Sequence, residues 1–298
     1  MPPLYWIHRN SKPNDPVLVI CMDGWIDAGF AAATALRHVL GQLPNEVVVT
    51  FDTDDLLDHR ARRPTLQVTS GVNMAIEWPS IELRLGRTNQ GNDVAFLIGP
   101  EPDFRWHAFT EAVGDLATDM GARLVVGLGA FPAPSPHTRP AKLTCTATSA
   151  SLADQVGYLT GTIEVPAGIE SVLEKTFESR GIPAIGLWAR VPHYVSAMNY
   201  PPAAAALVDG LSRLTGLNFD SSELHAQADE TRQRIDELIS QSDEHREMVR
   251  LLELHVDTEQ DGFQDNPEFQ FGNLPSGDEI AAELEKYLHR RSAGPQPE

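Results

Sequence analysis

Short unbroken apolar runs alternate along the chain with stretches whose apolar residues recur every three or four positions. Residues 16–24, PVLVICMDG, form a continuous apolar run closed by Asp-Gly, as expected of a strand buried on both faces. Residues 28–43 carry Ala and Leu at helical spacing, and residues 46–51, EVVVTF, are a β-branched run. This order predicts β-α-β, with a parallel pair joined by a right-handed crossover. Residues 72–78 and 81–86 read as strands separated by Pro79-Ser80, which predicts a hairpin or a short bent excursion. Residues 93–99, DVAFLIG, are a further buried strand. Asp103 is placed to cap a helix over 104–120, with Gly121 closing it. Residues 123–130 complete a second βαβ unit and run into PSPHTRP at 134–140.

The second half continues the alternation. Residues 141–147 alternate as a half-exposed strand does, 158–165 read as another strand, 169–180 as a helix and 182–189 as the last core strand. Pro201-Pro202 opens an alanine-rich helix to residue 214. From Asp220 the character changes. Asp220-Ser221-Ser222-Glu223 resembles a capping box. A heptad seam then runs through Leu224, Ala228, Thr231, Ile235, Leu238, Ser242, His245, Val249, Leu252 and Val256. Its polar middle allows one long helix across a wet region or a hairpin turning within 241–244, and the strong apolar positions at the two ends favour the hairpin. Residues 257–277 read as an acidic loop, and Ser276-Gly277-Asp278-Glu279 as the start of a final helix. The expected organisation is an α/β domain over 1–216, its mostly parallel sheet covered on both faces, and a helical extension over 217–298.

Charge and cysteine content narrow the function classes. The 298 residues carry 42 acidic and 23 basic side chains, a formal net charge of −19. Such a surface repels phosphate backbones and anionic lipid, which disfavours nucleic acid or membrane as a partner. Cys21 and Cys145 sit in apolar stretches and give no disulfide framework. The start MPPLYWIHRN lacks an apolar signal region, and no run of about 18 apolar residues occurs. The expectation is a cytoplasmic protein. The ten histidines form no H-x-x-x-H or H-E-x-x-H spacing, so neither a metal nor another cofactor is expected.

Candidate chemistry gathers in the loops after the strands, because ligands of open α/β sheets bind at strand carboxyl ends. GWIDAG brings Asp23, Trp25 and Asp27 to the end of the first strand, with Asp27 also placed as a helix cap. It is neither a dinucleotide fingerprint nor a phosphate-binding Walker loop. DHRARRP places Asp58, Arg60, Arg62 and Arg63 close together, as an anion clamp or an ion-pair network. GPEPDFRW offers Glu101 and Arg105 as a pair, beside Trp106. PSPHTRP holds His137, a candidate general base, and Arg139 in a proline-stiffened loop. Ser135 is a nucleophile only if a base reaches it, and no G-x-S-x-G elbow is present. VPHYV adds His193 and Tyr194. Parallel topology brings all these loops to one sheet edge without establishing a site there.

Taken in order, GWIDAG, DHRARRP, GPEPDFRW, PSPHTRP and VPHYV resemble the PAC2 family, named for the proteasome assembly chaperones, and its actinobacterial members in particular. The resemblance spans roughly residues 16–255. It implies a three-layer α/β/α sandwich like the nucleoside phosphorylase/hydrolase fold, with a C-terminal helical extension. It implies homo-oligomers such as trimers, and a protein partner such as proteasome components. The eukaryotic chaperones of the family dock through a terminal hydrophobic-Tyr-x tail, which GPQPE at 294–298 does not match. The resemblance supplies no catalytic residues. Two function classes follow. One is an assembly or interaction protein. The other is a binder of, or enzyme for, a nucleoside-like or phosphorylated ligand, with a sheet-edge pocket that includes Asp27, Arg105, His137 and His193.

Overall fold

The computed structural model describes residues 3–9, 12–24 and 26–258. The first half contains β1 (Tyr5–Ile7), β2 (Val17–Asp23), α1 (Ala31–Gly41), β3 (Asn45–Phe51), the short α2 (Thr53–Leu56), β4 (Thr65–Thr69) and β5 (Val72–Glu77). Next come β6 (Glu82–Arg87), β7 (Asp93–Pro100), α3 (Trp106–Asp119), β8 (Leu124–Ala133), β9 (Leu143–Ala147) and the short α4 (Ala150–Ala153). The chain continues through α5 (Ile169–Ser179), β10 (Ala184–Pro192), α6 (Pro201–Thr215), α7 (Ser222–Ser240) and α8 (Asp243–Thr258).

Eight strands form one sheet in the order β1-β3-β6-β7-β2-β8-β10-β9. β7, β2, β8 and β10 are adjacent and parallel, while β6 and β9 flank them antiparallel. β3 runs with the central four, beyond β6, and β1 closes that edge antiparallel. Apolar residues alternate between the two cores along the central strands. Val17, Val19 and Cys21 of β2 face the core shared with α1 and α6, while Leu18 and Ile20 face the core shared with α3 and α5. β7 and β8 repeat the pattern, so each strand is buried on both faces and the chain is a three-layer α/β/α protein.

Several local expectations need correction. β3 does not lie beside β2, because β7 pairs with β2 on that side and β6 bridges β7 to β3. Of the two readings at Pro79-Ser80, the hairpin does not form, since β5 and β6 do not pair. β5 turns back onto β4 through Ser70 and Gly71, at φ 50° and 81°, the paired positive angles that favour a tight hairpin. Pro79 and Ser80 instead pass the chain into β6 of the main sheet. Asp103 caps no helix: α3 starts at Trp106, and the Asp103 carboxylate accepts from the Asp58 backbone N–H at 2.8 Å. Residues 158–165 carry neither helix nor strand.

The helical hairpin forms as the heptad seam predicts. α7 ends at Ser240 and α8 begins at Asp243, with Leu224, Ile235 and Val249 of the seam buried. The Asp220 side chain, not a Ser221 cap, accepts from Ser222 at the start of α7. One compact unit comprises Met1–Leu159 with Ala167–Gln260, so it holds the sheet, α7 and α8. The described part of the second unit is Thr160–Pro166, which has no regular structure. The expected acidic loop beyond Thr258 and the helix from Ser276 lie outside the described residues.

Candidate functional site

At the carboxyl ends of β2, β7 and β8 a cleft of about 470 Å³ opens, and Asp23, Asp27, Glu101 and Glu170 reach it together with Arg37 and Trp188. β2 pairs with β7 through Asp23 and Pro100, and Asp27 bridges to Ala130 of β8, so the topology itself converges these groups. Asp27 also does structural work. Its two carboxylate oxygens accept from the backbone N–H groups of Ala32 and Ala33 at 2.8 and 3.0 Å, capping α1 across an intervening turn. Burial nevertheless pushes its carboxyl up from the ordinary range. Glu101 accepts from the Ile169 N–H at 2.5 Å and so ties the cleft to the start of α5.

Glu170 and Glu174 were not singled out from the sequence. They lie one turn apart on α5, in a helix that reads as ordinarily amphipathic. Glu170 accepts from the Met22 N–H at 3.0 Å, and burial, reinforced by neighbouring carboxylates, pushes its carboxyl up to about 8. Glu174 accepts from Thr146 Oγ1 at 2.8 Å, and burial pushes it up to about 7. The sequence signal was glycine inside strands. A Cβ at Gly127 would stand 3.0 Å from Glu170 Oε2, and one at Gly186 would stand 2.5 Å from Glu174 Oε1. A strand-interior glycine often marks such a close approach.

The other candidate residues are placed elsewhere. Arg105 pairs with Asp55 of α2 rather than with Glu101. His137 is 2% exposed and is spanned by two partners. Its backbone N–H donates to the Tyr194 hydroxyl at 2.8 Å, its Nδ1 lies 2.6 Å from the same hydroxyl, and its Nε2 lies 3.0 Å from Asp236 Oδ1 on α7. Because that hydroxyl accepts one N–H, its own proton points to Nδ1, which leaves Nε2–H to donate to Asp236. With both ring nitrogens engaged, His137 is no base for Ser135, whose buried Oγ has no hydrogen-bond partner. Burial pushes the Tyr194 phenol up to about 12 and holds His193 below its ordinary value.

PSPHTRP therefore fastens the helical hairpin to the sheet end. Thr138 Oγ1 donates to Glu253 at 2.5 Å. Arg139 forks onto Asp257 at 2.9 and 2.6 Å and reaches Glu253 at 3.2 Å, both on α8. The cleft lining contains Asp23, Asp27 and Glu101 but not Arg105, His137, Arg139, His193 or Tyr194. Trp25 lies outside the described residues. In DHRARRP, Asp58 accepts from the Arg60 backbone N–H and Arg62 pairs with Asp103. Among the described residues no group of three or more His, Cys, Asp or Glu is arranged to hold a metal ion, and no helix is long and apolar enough to cross a membrane.

Comparison with known proteins extends this picture. No curated protein matches the chain. A Corynebacterium glutamicum protein of unknown function is 29% identical, covers 86% of this chain and 98% of its own, and superposes with a TM-score of 0.80. A Mycobacterium tuberculosis proteasome-assembly chaperone homologue is 33% identical over 78% of this chain and 99% of its own, with a TM-score of 0.73. A PAC2 family protein from Streptomyces avermitilis is 34% identical over 79% of this chain and 100% of its own, with a TM-score of 0.71. The PAC2 family model matches residues 21–239, which run from the cleft strand β2 to the end of the clamped helix α7. On both the motif order and these matches, the chain belongs to the PAC2 family.

Proposed function

We propose that this protein is an assembly factor that works by association, with copies of itself and with a protein partner such as proteasome components. The observation that carries this reading is the clamped helical hairpin. PSPHTRP fixes α7 and α8 through His137, Thr138 and Arg139, while Leu238, Leu251 and Leu254 stay about half exposed on the outside. Leu251 and Leu254, three residues apart, share one face of α8. A polar clamp that orients a helix with exposed leucines suits presentation of an apolar face to another protein. The relative described as a proteasome-assembly chaperone homologue supports the partner class. The test is binding to purified proteasome core subunits from the same species. Leu251→Glu with Leu254→Glu is expected to weaken it at least tenfold without changing the helical content. Unchanged binding would remove the hairpin from the reading.

A second reading rests on the cleft. Asp23, Asp27 and Glu101 against one arginine disfavour a phosphorylated ligand, and carboxylates accept well from hydroxyl and amine groups. The class this cleft suits is a hydroxyl-rich or cationic small molecule, nucleoside-like in size. Titration with free nucleosides, read by the fluorescence of the lining Trp188, tests it. A flat response in both wild type and Asp23→Asn would end this reading.

A further inference from the structure

The β4–β5 ribbon stands apart from both cores: none of its residues is buried on either face. An isolated two-stranded ribbon is marginally stable at best in water. This one nevertheless exposes Leu66, Val68, Val72, Met74, Ile76 and the adjoining Trp78 by between 46% and 62% each. Leu66 pairs with Ile76 across the ribbon, and beyond a register shift after Gln67, Val68 pairs with Asn73 and Thr69 with Val72. An apolar face of this kind on a projecting ribbon needs a cover.

Charge identifies the cover. The chain carries −19, so two copies repel over most approaches. Residues 65–78 contain a single charged side chain, Glu77, and the ribbon's foot carries Arg60, Arg62 and Arg63. Arg62 pairs with Asp103, whereas the side chains of Arg60 and Arg63 make no ion pair among the described residues. Here two copies can approach with little acid–acid repulsion, an apolar face meeting its own likeness and the basic foot meeting an acidic neighbour. Six half-exposed side chains supply less than the ~800 Å² per partner of a standard interface. The foot is therefore part of the same contact.

We propose that the β4–β5 ribbon, with its basic foot, is the surface through which this chain binds a second copy of itself. This rests on the self-association part of the reading above and names its interface. Light scattering on the full chain after size exclusion tests it. Wild type is expected at a multiple of 32.7 kDa. Leu66→Glu with Ile76→Glu is expected at the single-chain mass with unchanged circular dichroism, because neither residue belongs to the core. Thr65→Glu with Gln67→Glu, on the opposite face, is expected to keep the wild-type mass. Oligomeric wild type with an equally heavy Leu66/Ile76 variant would overturn the ribbon while leaving self-association standing. Monomeric wild type would overturn both, and if that monomer bound anionic vesicles the ribbon would be a lipid contact instead. Hydrogen exchange on wild type needs no variant. Ribbon amides should gain protection as concentration crosses the association range, and protection that ignores concentration would also overturn the proposal.

Discussion

His137 Nε2 lies 3.0 Å from Asp236 Oδ1 and so joins a buried imidazole at the sheet end to the C-terminal part of α7. Tyr194 holds the other side of the ring. An imidazole positioned like a general base therefore works as a strut. His137→Ala would empty a buried ring site and remove the Nδ1 and Nε2 contacts to Tyr194 and to the half-exposed Asp236 carboxylate. The expected loss is about 2–4 kcal/mol of stability, read by chemical denaturation. A loss below about 0.5 kcal/mol would show that the strut carries no load.

Arg139 grips α8 from outside, where water competes. Arg139→Ala should accelerate hydrogen exchange in α8 and leave β8 and β10 unchanged. Added salt should reproduce part of the effect in wild type. Uniform acceleration across the sheet would mean that the clamp is not local.

Glu170 gives the molecule a pH signature. Its folded pKa, about 8, lies above the ordinary 4.5, so the folded state holds this proton more tightly than the unfolded chain. The stabilising effect is complete below the ordinary carboxylate range and is lost as pH rises through about 8. Glu170→Gln keeps an acceptor for Met22 but cannot ionise. It should match wild type near pH 4 and exceed it by a few kcal/mol above pH 8, because each tenfold difference in proton affinity is worth about 1.4 kcal/mol. Parallel stability curves for the two proteins would contradict the buried-carboxyl account.

Cys21 lies 8% exposed in the cleft wall and Cys145 6% exposed on the edge strand β9, opposite Leu187 of β10. Burial raises both thiols, Cys145 to about 11. Neither should react with a thiol reagent at neutral pH until the protein unfolds. Fast labelling of Cys21 in the native state would show that the cleft opens.

Much of this was legible in the sequence, and the exceptions have physical reasons. The buried strands announced themselves as apolar runs, and the α7–α8 turn as the polar break at Ser242 and His245. Local periodicity carries no strand order, so β3 seemed a neighbour of β2 until β6 and β7 claimed the space between. The segment 65–69, TLQVT, alternates polar and apolar residues, but five residues directly after the charged loop 58–63 are too short a run to stand out as a strand. The five loops do reach the same sheet end, as topology requires. Which side chains meet there depended on partners distant in sequence: Asp55 took Arg105, and Asp236 took His137. Glu170 was hidden because a carboxylate on an amphipathic helix reads as solvated; the facing Gly127 was the clue.

The central claim is that this chain acts by association, and sedimentation velocity tests it most directly. The chain should be run alone over a wide concentration range, and then with purified proteasome core subunits of its own species. The account predicts a species heavier than 32.7 kDa alone, and a further shift when the subunits are added. A chain that sediments as 32.7 kDa at every concentration and leaves the subunits' boundary unmoved would contradict it.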